Sequence, residues 1–274
     1  MKIDCAGKQI DLSIPQVMGI LNVTPDSFSD GGKFNQLDAA VARAENMIEA
    51  GAVFIDIGGE STRPGAAHID LAEEISRVIP VIKALTKRNT NAVISVDTSK
   101  PELMRQAIDA GAGMINDVRA LQEPGAVEAV AVFNVPVCLM HMQGQPDTMQ
   151  RDPQYQDVVN DVLHFLKSRI DVCLAAGIKK SRLLVDPGFG FGKSLSQNLL
   201  LLKNLSKLHC MGVPVLAGLS RKSMIGAIID KDVNNRLAGS LATALYALQQ
   251  GVNIIRVHDV EETVDIIKIY KAML

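Results

Sequence analysis

Polar and charged side chains recur in this 274-residue chain immediately after short apolar runs. In order they are Asn22, the segment Gly58-Gly59-Glu60-Ser61-Thr62-Arg63, Asp97, Asn116, His141, Asp186, Ser220-Arg221-Lys222, and Arg256 with His258. The chemistry such a set can do is definite. Carboxylates accept paired N–H donors, amides donate and accept, and cations compensate phosphate-like charge. Gathered in one mouth, these groups suit a charged, hydrogen-bond-rich small molecule and point to an enzyme.

The elements that must gather them are eight short runs at 17–22, 53–58, 92–97, 113–117, 136–140, 182–186, 213–218 and 253–257. Each is apolar and rich in β-branched residues, as expected of parallel strands buried on both faces. Helical patterns lie between them, near 38–50, 71–88, 101–110, 124–133, 155–176, 196–208, 235–250 and 260–272. Gly51, Gly111, Gly177 and Gly251 stand where a glycine closes a helix. Unbroken strand–helix alternation, with chemistry after both the first and the last strand, favours a closed (β/α)8 TIM barrel over an open doubly wound sheet. A barrel collects all its strand ends on one face. Lys2 to Leu12 turn at Ala6-Gly7-Lys8 and read as an N-terminal β-hairpin closing the bottom.

Composition fits one α/β domain over residues 1–274. Hydrophobic residues make up 47% and the net charge is -2, without basic runs, which argues against nucleic acid as a partner. No apolar stretch approaches the roughly 18 residues of a membrane span, and no signal-peptide core opens the chain. Cys5, Cys138, Cys173 and Cys210 form no C-x-x-C pair; Cys138 reads as a buried thiol. A cytoplasmic setting follows as the expectation. Connections near 23–37, 59–70 and 141–154 exceed the usual strand-to-helix length, which marks binding loops, and Phe28 beside Gly31-Gly32 suits a loop that closes on a ligand.

Several of these segments together carry a resemblance. Asn22-Val23-Thr24-Pro25-Asp26-Ser27-Phe28-Ser29-Asp30-Gly31-Gly32 and Asp56-Ile57-Gly58-Gly59-Glu60-Ser61-Thr62-Arg63-Pro64-Gly65 resemble the two signatures of the dihydropteroate synthase family. Ser95-Val96-Asp97-Thr98, Ile115-Asn116-Asp117, Leu139-Met140-His141-Met142, the Asp186–Lys193 segment, Ser220-Arg221-Lys222-Ser223 and Arg256-Val257-His258-Asp259 follow in that family's order. The resemblance spans essentially the whole chain. It implies condensation of 6-hydroxymethyl-7,8-dihydropterin pyrophosphate with p-aminobenzoate, in a homodimer formed through the last helices, with Mg²⁺ as cofactor and Asn22 as its protein ligand. It implies a pterin seat including Met140.

The residue chemistry suits that reaction. Asp186 can accept two adjacent N–H groups of a pterin edge, Asn116 can pair with ring nitrogens, and Asp97 can face a ring N–H from the other side. Arg63, Arg256 and His258, with Ser61 and Thr62, can meet a departing pyrophosphate. Ser223 at a helix start can donate to the p-aminobenzoate carboxylate, and the resemblance places Lys222 between pterin and amine. Phe28, Pro64 and Phe191 can wall the benzene ring. Asp97, Asp186, Lys222 and Arg256 form the expected catalytic set. Plainer readings stand beside these: a helix cap for Asp97, which Ser99 fits better, turn residues for Asn22, Asn116 and Asp186, and core packing for Phe191. Pro187-Gly188-Phe189-Gly190-Phe191-Gly192-Lys193-Ser194 nearly spells a P-loop, but Pro187 stands where its first glycine belongs. A corrinoid-type pterin methyltransferase and a non-catalytic pterin-binding paralogue are the alternative functions.

Overall fold

The computed structural model describes residues 1–24, 33–61, 69–144, 149 and 153–274. An antiparallel hairpin, β1 (Lys2–Cys5) and β2 (Lys8–Asp11), opens the chain. Its two-residue turn puts Ala6 and Gly7 at positive φ, and Asp4 Oδ1 accepts from Gly7 N at 2.7 Å. Eight parallel strands follow: β3 (Gln16–Asn22), β4 (Phe54–Gly58), β5 (Val93–Asp97), β6 (Met114–Asp117), β7 (Val137–Met140), β8 (Leu183–Asp186), β9 (Leu216–Ala217) and β10 (Ile254–Val257). They pair in the order β8-β7-β6-β5-β4-β3-β10-β9. A parallel bridge between Val185 and Val215 joins the two ends, so the sheet closes into the expected barrel.

Helices α1 (Lys33–Glu49), α2 (Leu71–Lys87), α3 (Pro101–Asp109), α4 (Ala126–Ala131), α5 (Val158–Ala175), α6 (Leu195–Lys203), α7 (Ser223–Ile229), α8 (Leu237–Gln249) and α9 (Val260–Ala272) accompany the strands. Side chains alternate across each strand. One set, including Leu21, Ile57, Val96, Leu139, Val185 and Val257, packs outward into the large strand–helix core. The other set faces the barrel axis. Its lowest members are Met18, Phe54, Val93, Met114, Cys138, Leu184, Leu216 and Ile254, one from each strand. Ile3, Cys5 and Leu12 of the hairpin segment pack against them and plug the bottom. An apolar floor leaves polar groups room only above it.

Several element boundaries differ from the sequence expectation, and α7 adds a short helix to the eight expected ranges. The run at 213–218 is regular strand only at Leu216–Ala217, because Pro214 has no N–H to extend a ladder, although its carbonyl still accepts from Val185 N at 3.0 Å. The helix expected over 196–208 stops at Lys203 and continues as a 3₁₀ segment, Leu205–Met211, once Asn204 leaves helical geometry. The first helix begins at Lys33, five residues before the expected 38. Phe28, Thr62, Arg63 and Pro64 lie outside the described residues.

The floor makes a direct prediction. Phe54 is fully buried, and Phe54→Ala should cost about 3–5 kcal/mol by urea unfolding, the range for emptying a large aromatic site in a core.

Candidate active site

One pleat above the floor, most of the inward residues become polar. Asp56, Ser95, Asn116, Met140, Asp186 and Arg256 occupy this level by strand alternation. Asp56 is its hub and is fully buried. Its Oδ1 accepts from Ser95 Oγ at 2.6 Å; its Oδ2 accepts from Asn116 Nδ2 at 2.9 Å and from Arg256 Nε at 2.6 Å. Arg256 Nη2 then donates to Asp97 Oδ2 at 2.8 Å. One guanidinium therefore spans two carboxylates on neighbouring strands. At the rim the register aligns Asn22, Gly58, Asp97 and Asn116 across β3 to β6.

Burial governs the ionisation of this level. It pushes the Asp97 carboxyl up, with the Arg256 charge opposing and the Asp56 charge reinforcing the shift. It also pushes the Asp186 carboxyl up to about 6, against the Gly188 N–H and the charges of Lys222, Arg256 and Lys193. Lys222 is pushed down to about 8, first by burial and then by the nearby Arg256 charge. Burial thus pushes two carboxyls up and an amine down at one end of the barrel, the pattern of a functional site.

Lys222 Nζ sits 4.2 Å from the centroid of the Phe191 ring, a cation–π contact. Phe191 belongs to a small cluster with Val118, Met140 and Met149, separate from the main core. Lys222 follows Arg221, which holds a positive φ of 58°. That backbone is strained for a non-glycine residue, and several partners hold it: Arg221 N donates to Ser240 Oγ at 2.9 Å, and its guanidinium pairs with Asp259. Ser220 Oγ lies 3.1 Å from His258 Nδ1 and orients that ring. Ser223 is exposed at the first position of α7.

The near-P-loop after β8 folds differently from a phosphate cradle. Lys193 is 2% exposed and turns inward. Its Nζ donates to Gly188 O at 2.8 Å and Phe191 O at 3.0 Å, and it lies 2.9 Å from His141 Nδ1. Burial and the Lys193 charge push His141 down to about 2, which keeps its ring neutral and able to accept. Gly188 N donates to Asp186 Oδ1 at 2.7 Å, so the loop also fixes that carboxylate. Below the rim of β4, Lys100 Nζ joins Glu60, Glu74 and Ile69 O at 3.1, 2.7 and 2.7 Å.

The structure brings Asn22, Asp97, Asn116, Met140, Asp186, Phe191, Lys222, Ser223, Arg256 and His258 to one end of the barrel. It sharpens several of them. Asn116 donates one of its two amide N–H groups to Asp56 Oδ2, which fixes the orientation of its side chain. Asp97 does not cap α3, and neither does Ser99; Lys100 holds the N-cap position without a side-chain bond, while Ser99 Oγ donates to Asp117 Oδ1 at 2.5 Å. Arg256, expected to meet a leaving group, is already engaged by Asp56 and Asp97. Asp56, Ser95 and Lys193 stand within motifs read from sequence but were given no role in the site there. A carboxylate in a strand buried on both faces is itself a signal, since it must be paired.

Gly188 takes φ +67°, and a Cβ there would lie 1.9 Å from His141 O. Gly188→Ala should therefore displace the loop, uncouple Gly188 N from Asp186, and weaken binding of a ligand seated on Asp186 by about tenfold or more in calorimetry.

Similarity to known proteins agrees with this geometry. Residues 18–258 match the family described as pterin binding enzyme. A dihydropteroate synthase of Haemophilus influenzae is 56% identical over 272 residues, covering 99% of this chain and 98% of that protein. A crystal structure of the Yersinia pestis dihydropteroate synthase with a sulfonamide drug complex superposes with a TM-score of 0.95 at 54% identity, covering 100% of this chain and 99% of that one. The Xanthomonas albilineans dihydropteroate synthase with 4-aminobenzoic acid gives 0.94 at 53% identity, covering 99% and 97%. With the whole chain aligned and the pterin-type polar level in place, the chain belongs to the dihydropteroate synthase family of pterin-binding enzymes.

Proposed function

We propose that this chain condenses 6-hydroxymethyl-7,8-dihydropterin pyrophosphate with p-aminobenzoate to 7,8-dihydropteroate and pyrophosphate. The observation that carries the reading is the polar level fixed by Asp56, which brings Asp97, Asn116, Asp186, Lys222 and Arg256 together at the strand ends. A methyltransferase using a corrinoid partner does not account for whole-chain identity to named dihydropteroate synthases.

The residues divide the work by position. Asp186, ionised, accepts paired N–H groups of the pterin, and Asn116 and Asp97 meet its other edges. As the C–O bond to pyrophosphate breaks, its electron pair leaves with the pyrophosphate and positive charge spreads into the dihydropterin ring. Asp97 and Asp186 stabilise that charge. The aryl amine then supplies the electron pair of the new C–N bond and loses a proton to solvent. Lys222 and Phe191 border the amine, with Ser223 as donor to its carboxylate. Arg256 orients Asp97 first, because two of its nitrogens are held by carboxylates. Arg63, Thr62 and His258 accordingly carry more of the leaving-group role, and Phe28 and Pro64 the aryl wall.

Mg²⁺ fits this arrangement. Asn22 ends β3 and pairs in register with Gly58, at the rim beside Asp97. An amide oxygen is a suitable hard ligand, and a bound Mg²⁺ would supply charge compensation to the phosphates, taking its other oxygens from substrate and water. We further propose a cytoplasmic, single-domain chain over residues 1–274 that acts as a homodimer. Leu237 and Tyr246 are exposed on α8, which supports a partner there, whereas Leu248 is buried in the core and is not part of such a face. Among the described residues no helix is long and apolar enough to cross a membrane.

The test is pyrophosphate release from the dihydropterin substrate with Mg²⁺, with and without p-aminobenzoate. Amine-dependent release with equal dihydropteroate is the expected result; pterin binding without turnover would contradict the reading. The pH profile follows from the site. Asp186 accepts only when ionised and Lys222 keeps its charge only below its own titration, so kcat/KM should rise through about pH 6 and fall above about pH 8. A profile flat from pH 5 to 9 would remove both groups from the mechanism.

A further inference from the structure

Lys193 is a buried amine that the proposed reaction does not use; burial pushes its ammonium down to about 7, with the Asp186 charge opposing and the Lys222 charge reinforcing the shift. Its ammonium has three N–H donors, and three acceptors within 3.0 Å meet them: Gly188 O, Phe191 O and His141 Nδ1. Two of these belong to the loop it terminates, and the third stands at the end of β7. The loop therefore curls around its own lysine and is tied to the neighbouring strand. Tyr155 Oη donates to Gly192 O at 2.8 Å and seals the outer side. Two site features hang on this loop. Gly188 N holds Asp186 Oδ1 at 2.7 Å, and the Phe191 ring lies under Lys222.

We propose that Lys193 is a positioning residue that acts through the 187–192 loop on Asp186 and on the Phe191–Lys222 pair, and so sets the affinity for the pterin substrate. This rests on the pterin reading of the site given above. Burying an ammonium is costly unless every donor is met, and neither carbonyl would keep its partner without it. The groups facing Asp186 are Gly188 N from the loop, Lys193, Lys222 from the segment after β9, Arg256 from β10 and Cys138 from β7; His141 faces Lys193 from the end of β7. Lys193 and the Gly188 N–H both favour the ionised carboxylate. Losing the lysine removes the first directly and loosens the second.

The experiment is steady-state kinetics of Lys193→Met against the wild-type chain, with dihydropterin pyrophosphate, p-aminobenzoate and Mg²⁺, across pH 5 to 9. The KM for the pterin substrate should rise about tenfold while kcat stays within about threefold, because the reacting groups remain but their seat is displaced. The acid limb of kcat/KM should move to higher pH by about half a unit. An unchanged pterin KM with an unmoved acid limb overturns the inference, as does a fall in kcat alone. If Lys193→Met does not fold, His141→Asn and His141→Leu carry the test. The amide keeps an acceptor for the ammonium and should hold the wild-type KM, whereas leucine should raise it several-fold; equal KM values overturn the inference. Wild-type turnover with an unaffected variant defeats this inference alone, whereas a wild-type chain without turnover defeats the reading beneath it.

Discussion

The ion pair between Asp56 and Arg256 is the constraint on which the active end depends. Arg256 reaches past β3 from β10, and Asp56 on β4 fixes its Nε. That anchoring directs Nη2 onto Asp97 and leaves Asp56 able to hold Asn116 and Ser95 as well. Three strands are thereby bound to one fully buried carboxylate on a fourth. A buried ion pair adds little net stability compared with apolar packing. Its value here is directional, because it gives two ligand-facing groups a single orientation above an apolar floor.

The same economy of position recurs around the mouth. Arg221 occupies a left-handed backbone conformation held by Ser240 and Asp259, and the next residue is Lys222. Gly188 passes close against His141 O, and its N–H fixes Asp186. At these two points a constrained backbone stands beside the chemistry, as suits a rigid scaffold that holds polar groups in one geometry. The floor carries none of this; its eight inward side chains are apolar and the hairpin covers them.

Strand and helix alternation made the barrel legible from sequence, because buried parallel strands read as short apolar runs and their polar ends stand out. The hairpin was legible from its turn. Strand β9 was overestimated because a run of apolar residues does not reveal that Pro214 interrupts the ladder. Among site residues, those at strand ends could be found, since a polar group after an apolar run is conspicuous. Asp56 and Ser95 lie inside the runs, where alternation is hidden by burial on both faces, and their role appears only when β4, β5, β6 and β10 meet. Lys193 was masked by its resemblance to a phosphate-binding lysine; nothing local shows that it turns inward. The partners of Arg256 were equally invisible, being 200 and 159 residues away in the chain.

The most direct measurement is on Asp56→Asn, which keeps the side chain's size and removes its charge. Urea unfolding should show a loss of about 2–4 kcal/mol, at or below the range for removing half of a buried pair, since Asp97 still holds Arg256 Nη2. Calorimetry on the folded variant should show pterin affinity reduced by about tenfold or more, because Asn116 and Asp97 lose their common orientation. Wild-type stability together with wild-type pterin affinity would contradict the account, and the polar level would then owe its geometry to something other than Asp56.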